Sequence, residues 1–182
     1  MMAKAFFRAA LKALAPALLA LFACGAARSQ ESLKAAVGQK LRDLSVLERP
    51  GQKSVTFYGQ NCYQSLWLGE KARGLLSEAA QKYLEQFEKK RLQKPRNGAG
   101  ERFYSGAEAL LEWGPRKGSM ERSATAKIRF GYAIYGKNAF FLIKVPSQKS
   151  QAPAQSPAFE SSEPASLLFT RAQLKSLLAA LR

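Results

Sequence analysis

Ala124-Thr125-Ala126-Lys127-Ile128-Arg129-Phe130-Gly131-Tyr132-Ala133-Ile134-Tyr135, followed by Gly136-Lys137-Asn138 and Ala139-Phe140-Phe141-Leu142-Ile143-Lys144-Val145, decides the fold class. Ala124, Ala126, Ile128, Phe130, Tyr132 and Ile134 fall at every second position, with Thr125, Lys127, Arg129 and Tyr135 between them. A strand sends successive side chains to opposite faces, so this pattern predicts one buried and one partly wet face. The short glycine-containing turn predicts that the next strand runs back antiparallel.

Working outward, Ala107, Ala109, Leu111 and Trp113 alternate with Glu108, Leu110 and Glu112 ahead of the turn cluster Gly114-Pro115-Arg116-Lys117-Gly118. Ser54–Tyr58 and Cys62–Leu68 are rich in β-branched and aromatic residues, and Gly59-Gln60-Asn61 between them has hairpin length. From Glu70 to about Leu92 the period changes. Ala72, Leu75, Leu76, Ala79, Ala80, Tyr83, Leu84 and Phe87 recur at steps of three and four, which predicts a long amphipathic helix facing a core. Residues 31–47 carry Leu33, Ala36, Val37, Leu41 and Leu44 at helical spacing and read as a weak helix.

Pro146–Pro164 is rich in Ser, Gln, Ala and Pro and predicts a mobile loop, since it offers little apolar surface to offset ordering entropy. Ser166–Phe169 reads as a last strand. Thr170-Arg171-Ala172-Gln173 matches a capping box that starts a terminal helix striped by Leu174, Leu177, Leu178 and Leu181. The expected architecture is one α+β domain over residues 30–182. In it, an antiparallel sheet of about five or six strands packs against one long central helix and a short C-terminal helix.

Residues 1–29 read as an export signal. Lys4, Arg8 and Lys12 give a basic head, and Ala13 to Ala27 is uncharged, too short for the roughly 20 apolar residues of a spanning helix. Leu21-Phe22-Ala23-Cys24-Gly25 resembles a bacterial lipobox, which implies lipidation of Cys24. The competing route is cleavage after the small residues Ala26 or Ser29. Either route leaves Cys62 without an intrachain partner, and its apolar surroundings predict a buried, inert thiol.

The chain carries 29 Lys+Arg against 13 Asp+Glu, and the acid-free leader holds only four of those bases. Such a balance favours anionic partners: an acidic protein, an anionic polymer, lipid head groups or nucleic acid. The densest basic run is Lys89, Lys90, Arg91, Lys94, Arg96 and Arg102; with Lys127 and Arg129 on the wet strand face, it forms the candidate anionic-partner surface. Cations at a helix C-terminus also offset its dipole, so a structural reading stands beside the functional one.

The missing residues narrow the chemistry. There is no histidine and a single aspartate, Asp43, so imidazole-dependent nucleophilic pairs, imidazole metal sites and EF-hand loops are excluded. Phosphate-cradling glycine motifs and CxxC are absent. Glu108 and Glu112 on one strand face would stand about 13 Å apart, too far for paired-carboxylate hydrolysis. No cofactor is implied. The expected function is that of an exported small envelope protein, periplasmic or lipid-anchored: a non-enzymatic binding or structural module for an anionic or protein partner. The alternative is a single-stranded nucleic-acid binder, in which bases stack on the sheet face and the 89–102 segment tracks phosphates. Antiparallel strands followed by a helix over residues 103–182 resemble, in order only, the repeats of Pur-type nucleic-acid binders.

Overall fold

The computed structural model describes residues 33–37, 40–94, 100–150 and 159–182. The expected export signal with Cys24, the Arg96 position and the 151–158 part of the expected loop lie outside the described residues. In chain order the elements are β1 (Lys34–Val37), β2 (Lys40–Asp43), β3 (Ser45–Arg49), β4 (Gln52–Tyr58), β5 (Tyr63–Gly69), α1 (Glu70–Glu88), β6 (Glu101–Gly114), β7 (Arg122–Tyr135), β8 (Asn138–Val145), β9 (Ala165–Phe169) and α2 (Arg171–Ala180). The alternating stretch is β7, and its burial follows the predicted period: Ala124, Ala126, Ile128, Phe130 and Tyr132 are buried, while Thr125, Lys127 and Arg129 are exposed.

The nine strands of the described residues join one antiparallel sheet in the order β2-β1-β9-β8-β7-β6-β5-β4-β3. This overturns the expected five or six strands packed against one long central helix and a short C-terminal one. The described residues are mostly sheet, curled into a nearly closed barrel-like form. The closure is written into the chain path. β2 and β3 are the two edges of the sheet, yet only Leu44 separates them in sequence. One chain segment therefore leaves the β1 edge, bends, and pairs with β4, as strands that switch sheets do at barrel corners. Leu44 is buried at the bend, and its N–H donates to the Leu33 carbonyl at 2.7 Å.

The helix expected over 31–47 does not form, because β1, β2 and β3 occupy that stretch. Ala36 pairs with Leu168 and Val37 with Leu167, more than a hundred residues away. Barrel closure outweighs the weak helical spacing, and Leu41, expected on an apolar stripe, stands exposed.

α1 crosses the inner face of β5–β8 and buries Ala72, Leu76, Ala79, Ala80 and Tyr83. The core continues through Phe57, Leu66, Trp113, Phe130, Phe141 and Phe169. A register shift between Phe103 and Ser105 bends β6 against β7. Gly131 permits it: a Cβ there would lie 2.0 Å from the Arg102 carbonyl oxygen. Beyond the strands, Lys149 bridges Ser161, and the Ser147 hydroxyl donates to the Ser162 carbonyl at 2.6 Å. These contacts tie down both ends of the long connection before β9. Cys62 is buried, and burial pushes its thiol pKa up.

Candidate functional site

Three chain segments meet at a cleft of about 720 Å³: the end of α1, the β7–β8 turn and the start of α2. Phe87, Lys90 and Leu92 come from the first, Ile134, Lys137, Asn138, Ala139 and Phe140 from the second, and Thr170 and Arg171 from the third. Among the described residues no acidic one lines it.

The α1 wall ends in a defined way. The Arg91 N–H donates to the Gln86 carbonyl at 2.8 Å and the Lys90 N–H to Phe87 at 3.0 Å. These are the two bonds of a Schellman motif, which puts its C′ residue in the left-handed region where glycine is normal. Here that residue is Lys90, at φ 51°. A lysine so placed costs about 1 kcal/mol or more relative to glycine.

The α2 wall repeats the anomaly in electrostatic form. The expected capping box is present: the Thr170 side chain accepts from the Gln173 N–H at 3.4 Å, and Gln173 Oε1 accepts from the Thr170 N–H at 2.9 Å. Arg171 follows at the first helical position, and no acid stands in that first turn. The helix dipole is positive at this end and opposes a cation by roughly 0.3–1 kcal/mol. The Arg171 guanidinium carbon lies over Phe87, 4.5 Å from the ring centroid. Among the described residues no ion pair is formed by Lys90, Lys137 or Arg171.

Two buried tyrosines fix the walls. The Tyr83 hydroxyl on α1 donates to the Ala139 carbonyl at 2.9 Å, tying the helix to the start of β8. The Tyr132 hydroxyl donates to the Gln93 carbonyl at 2.8 Å, which holds the segment carrying Leu92. Burial pushes the Tyr83 pKa up to about 12, with the nearby Arg171 charge pulling the other way.

The basic residues singled out from sequence are dispersed. Lys89, Lys90, Arg91 and Lys94 are exposed beyond the end of α1; only Lys90 of these lines the cleft, and Lys89 is paired with Glu85. Arg102 is exposed on β6. Lys127 and Arg129 lie on the opposite face of β7, along an open groove at the β6 bulge. There Lys127 is in register with Glu108, and the Arg129 guanidinium covers Phe103 at 4.0 Å. Glu112, the other half of the carboxylate pair weighed from sequence, accepts from Trp67 Nε1 at 2.7 Å and pairs with Arg49 at 3.3 Å.

Lys137 and Arg171 were not among the sequence candidates. Arg171 carried a readable signal, a cation in the first turn after a clear N-cap, where acids belong. Lys137 is one basic residue in a turn and carried none.

A family model described as "Uncharacterised Treponema protein" matches residues 8–182. No curated protein and no solved structure matches the chain.

Proposed function

The chain belongs to the uncharacterised Treponema protein family, and we propose a function from its own chemistry. It is an exported, non-enzymatic envelope protein, periplasmic or lipid-anchored through Cys24, that binds an anionic partner in the cleft of Lys90, Lys137 and Arg171. One observation carries the reading. Two of the three cations sit against a local preference, Lys90 in left-handed backbone and Arg171 at the positive end of a helix, and both line the same cleft, in which no acid stands among the described residues. Locally unfavourable residues that converge are a mark of a functional site. Export rests on the leader of residues 1–29, and the absence of a catalytic role on the missing histidine and the single aspartate.

The test has two parts. The mass and N-terminus of the native protein establish processing: a lipidated start at Cys24 or a start after Ala26 or Ser29 is expected, and an intact Met1 in the cytosol refutes export. Titration with glycerol 3-phosphate tests the cleft. Binding that weakens with salt and in Arg171→Gln is expected. An oligonucleotide bound more tightly, and lost in Lys127→Glu/Arg129→Glu, would move the function to the opposite sheet face.

A further inference from the structure

The chemistry of the cleft narrows the partner, and we infer that it is an amphiphile: a phosphate-bearing lipid head group with the first part of its acyl chains. This rests on the anion-binding reading and adds the apolar half of the ligand. Lys90, Lys137 and Arg171 supply the charge, while Phe87, Leu92 and Ile134 line the same cavity. A volume of about 720 Å³ is in the range of organic-ligand pockets, and an inorganic anion alone would leave the apolar wall in water.

Arg171 is already held at the cleft. Its guanidinium carbon lies 4.5 Å from the Phe87 ring centroid, and the fork of N–H donors suits a bidentate phosphate contact. Such a phosphate would also meet the positive end of α2 and convert the unfavourable placement of Arg171 into a favourable one. The Tyr83 and Tyr132 ties hold the walls before any ligand arrives, so little ordering cost accompanies binding. A nucleic acid or an acidic polysaccharide would present phosphates or carboxylates but no aliphatic segment for Leu92 and Ile134.

The experiment is calorimetric titration of the full chain with dihexanoyl phosphatidic acid below its micellar range, with glycerol 3-phosphate, and with dihexanoyl phosphatidylcholine. The expected order is phosphatidic acid about tenfold tighter than glycerol 3-phosphate, from burial of about two methylene groups, with phosphatidylcholine weakest. Arg171→Gln weakens both phosphate monoesters, whereas Leu92→Gln lowers only the affinity for phosphatidic acid and so narrows the gap. Equal affinity for phosphatidic acid and glycerol 3-phosphate overturns this inference and leaves anion binding standing. Binding of neither overturns both. The comparison among ligands uses the wild-type chain, so it decides the matter even where a variant folds poorly.

Discussion

Replacing Lys90 by glycine separates a functional lysine from a structural one, because the two roles predict opposite stability effects. At φ 51° the side chain carries the left-handed penalty of about 1–2 kcal/mol. Glycine removes it but adds roughly 0.5–1 kcal/mol of unfolded-state entropy. Losing one cation near the end of α1 costs about 0.3 kcal/mol more, with Lys89 and Arg91 still in place. The net effect runs from about zero to a gain near 1 kcal/mol, a melting temperature unchanged or raised by up to roughly 4 °C. Affinity moves the other way. One exposed cation–phosphate contact is worth about 1 kcal/mol, so binding of glycerol 3-phosphate weakens about fivefold. Differential scanning calorimetry and titration read the two quantities. A fall in melting temperature refutes the strain argument, and unchanged affinity removes Lys90 from the site.

Other perturbations probe the frame. The Glu163 carboxylate accepts from the Gln60 N–H at 2.7 Å, the Asn61 N–H at 3.2 Å and Asn61 Nδ2 at 2.6 Å, which latches the β4–β5 turn to the segment before β9. Glu163→Ala is expected to cost about 1.5 kcal/mol, or roughly 3–6 °C, with phosphate affinity unchanged; a stability loss under about 0.3 kcal/mol refutes the latch. Gly131→Ala drives a Cβ into the Arg102 carbonyl and is expected to destabilise by about 2 kcal/mol or more in denaturant unfolding; a neutral result refutes the close approach. The raised Tyr83 pKa favours the folded state below the ordinary tyrosine range, near pH 10, and that contribution is lost as pH rises toward about 12. Phenolate absorbance should therefore show Tyr83, and Tyr104, whose pKa burial also raises, titrating with alkaline unfolding rather than at the exposed-tyrosine value.

The sequence showed the interior of the sheet far better than its edges. β7 is long, alternates over most of its length and is joined to β8 by a tight turn, so period and pairing agree, and the antiparallel order of the two and the faces of β7 are as the pattern predicts. β5 and the capping box at Thr170 were legible for the same reason: each depends on residues a few positions apart. β1, β2 and β3 depend on distant partners. Four-residue strands such as Lys34–Val37 and Lys40–Asp43 are too short to establish a period, and Ala36 and Val37 find their places only against Leu168 and Leu167. The barrel was hidden because the sheet depends on β1 pairing with β9, from opposite ends of the chain, and not on a property of any window.

The site was half hidden by the same limit, but it also obeys a rule that a window can test. Charge density pointed to Lys89 through Arg102, yet density does not distinguish a solvated face from a binding one. Misplacement does. Lys89 sits at the helix end with Glu85 four residues back, where both charges are content, and it lies outside the cleft. Lys90 and Arg171 each break a local preference, one of backbone and one of dipole, and both line the cleft. If selection kept them for folding, glycine would serve better at position 90 and an acid as well at position 171. The double substitution Lys90→Gly/Arg171→Glu should therefore be at least as stable as the wild type while losing phosphate binding. Helix-end gains of about 0.5 kcal/mol from the acid roughly offset the lost Phe87 stacking. A double variant that melts well below the wild type would show that the cations serve the fold, and the argument from misplacement would fail with it.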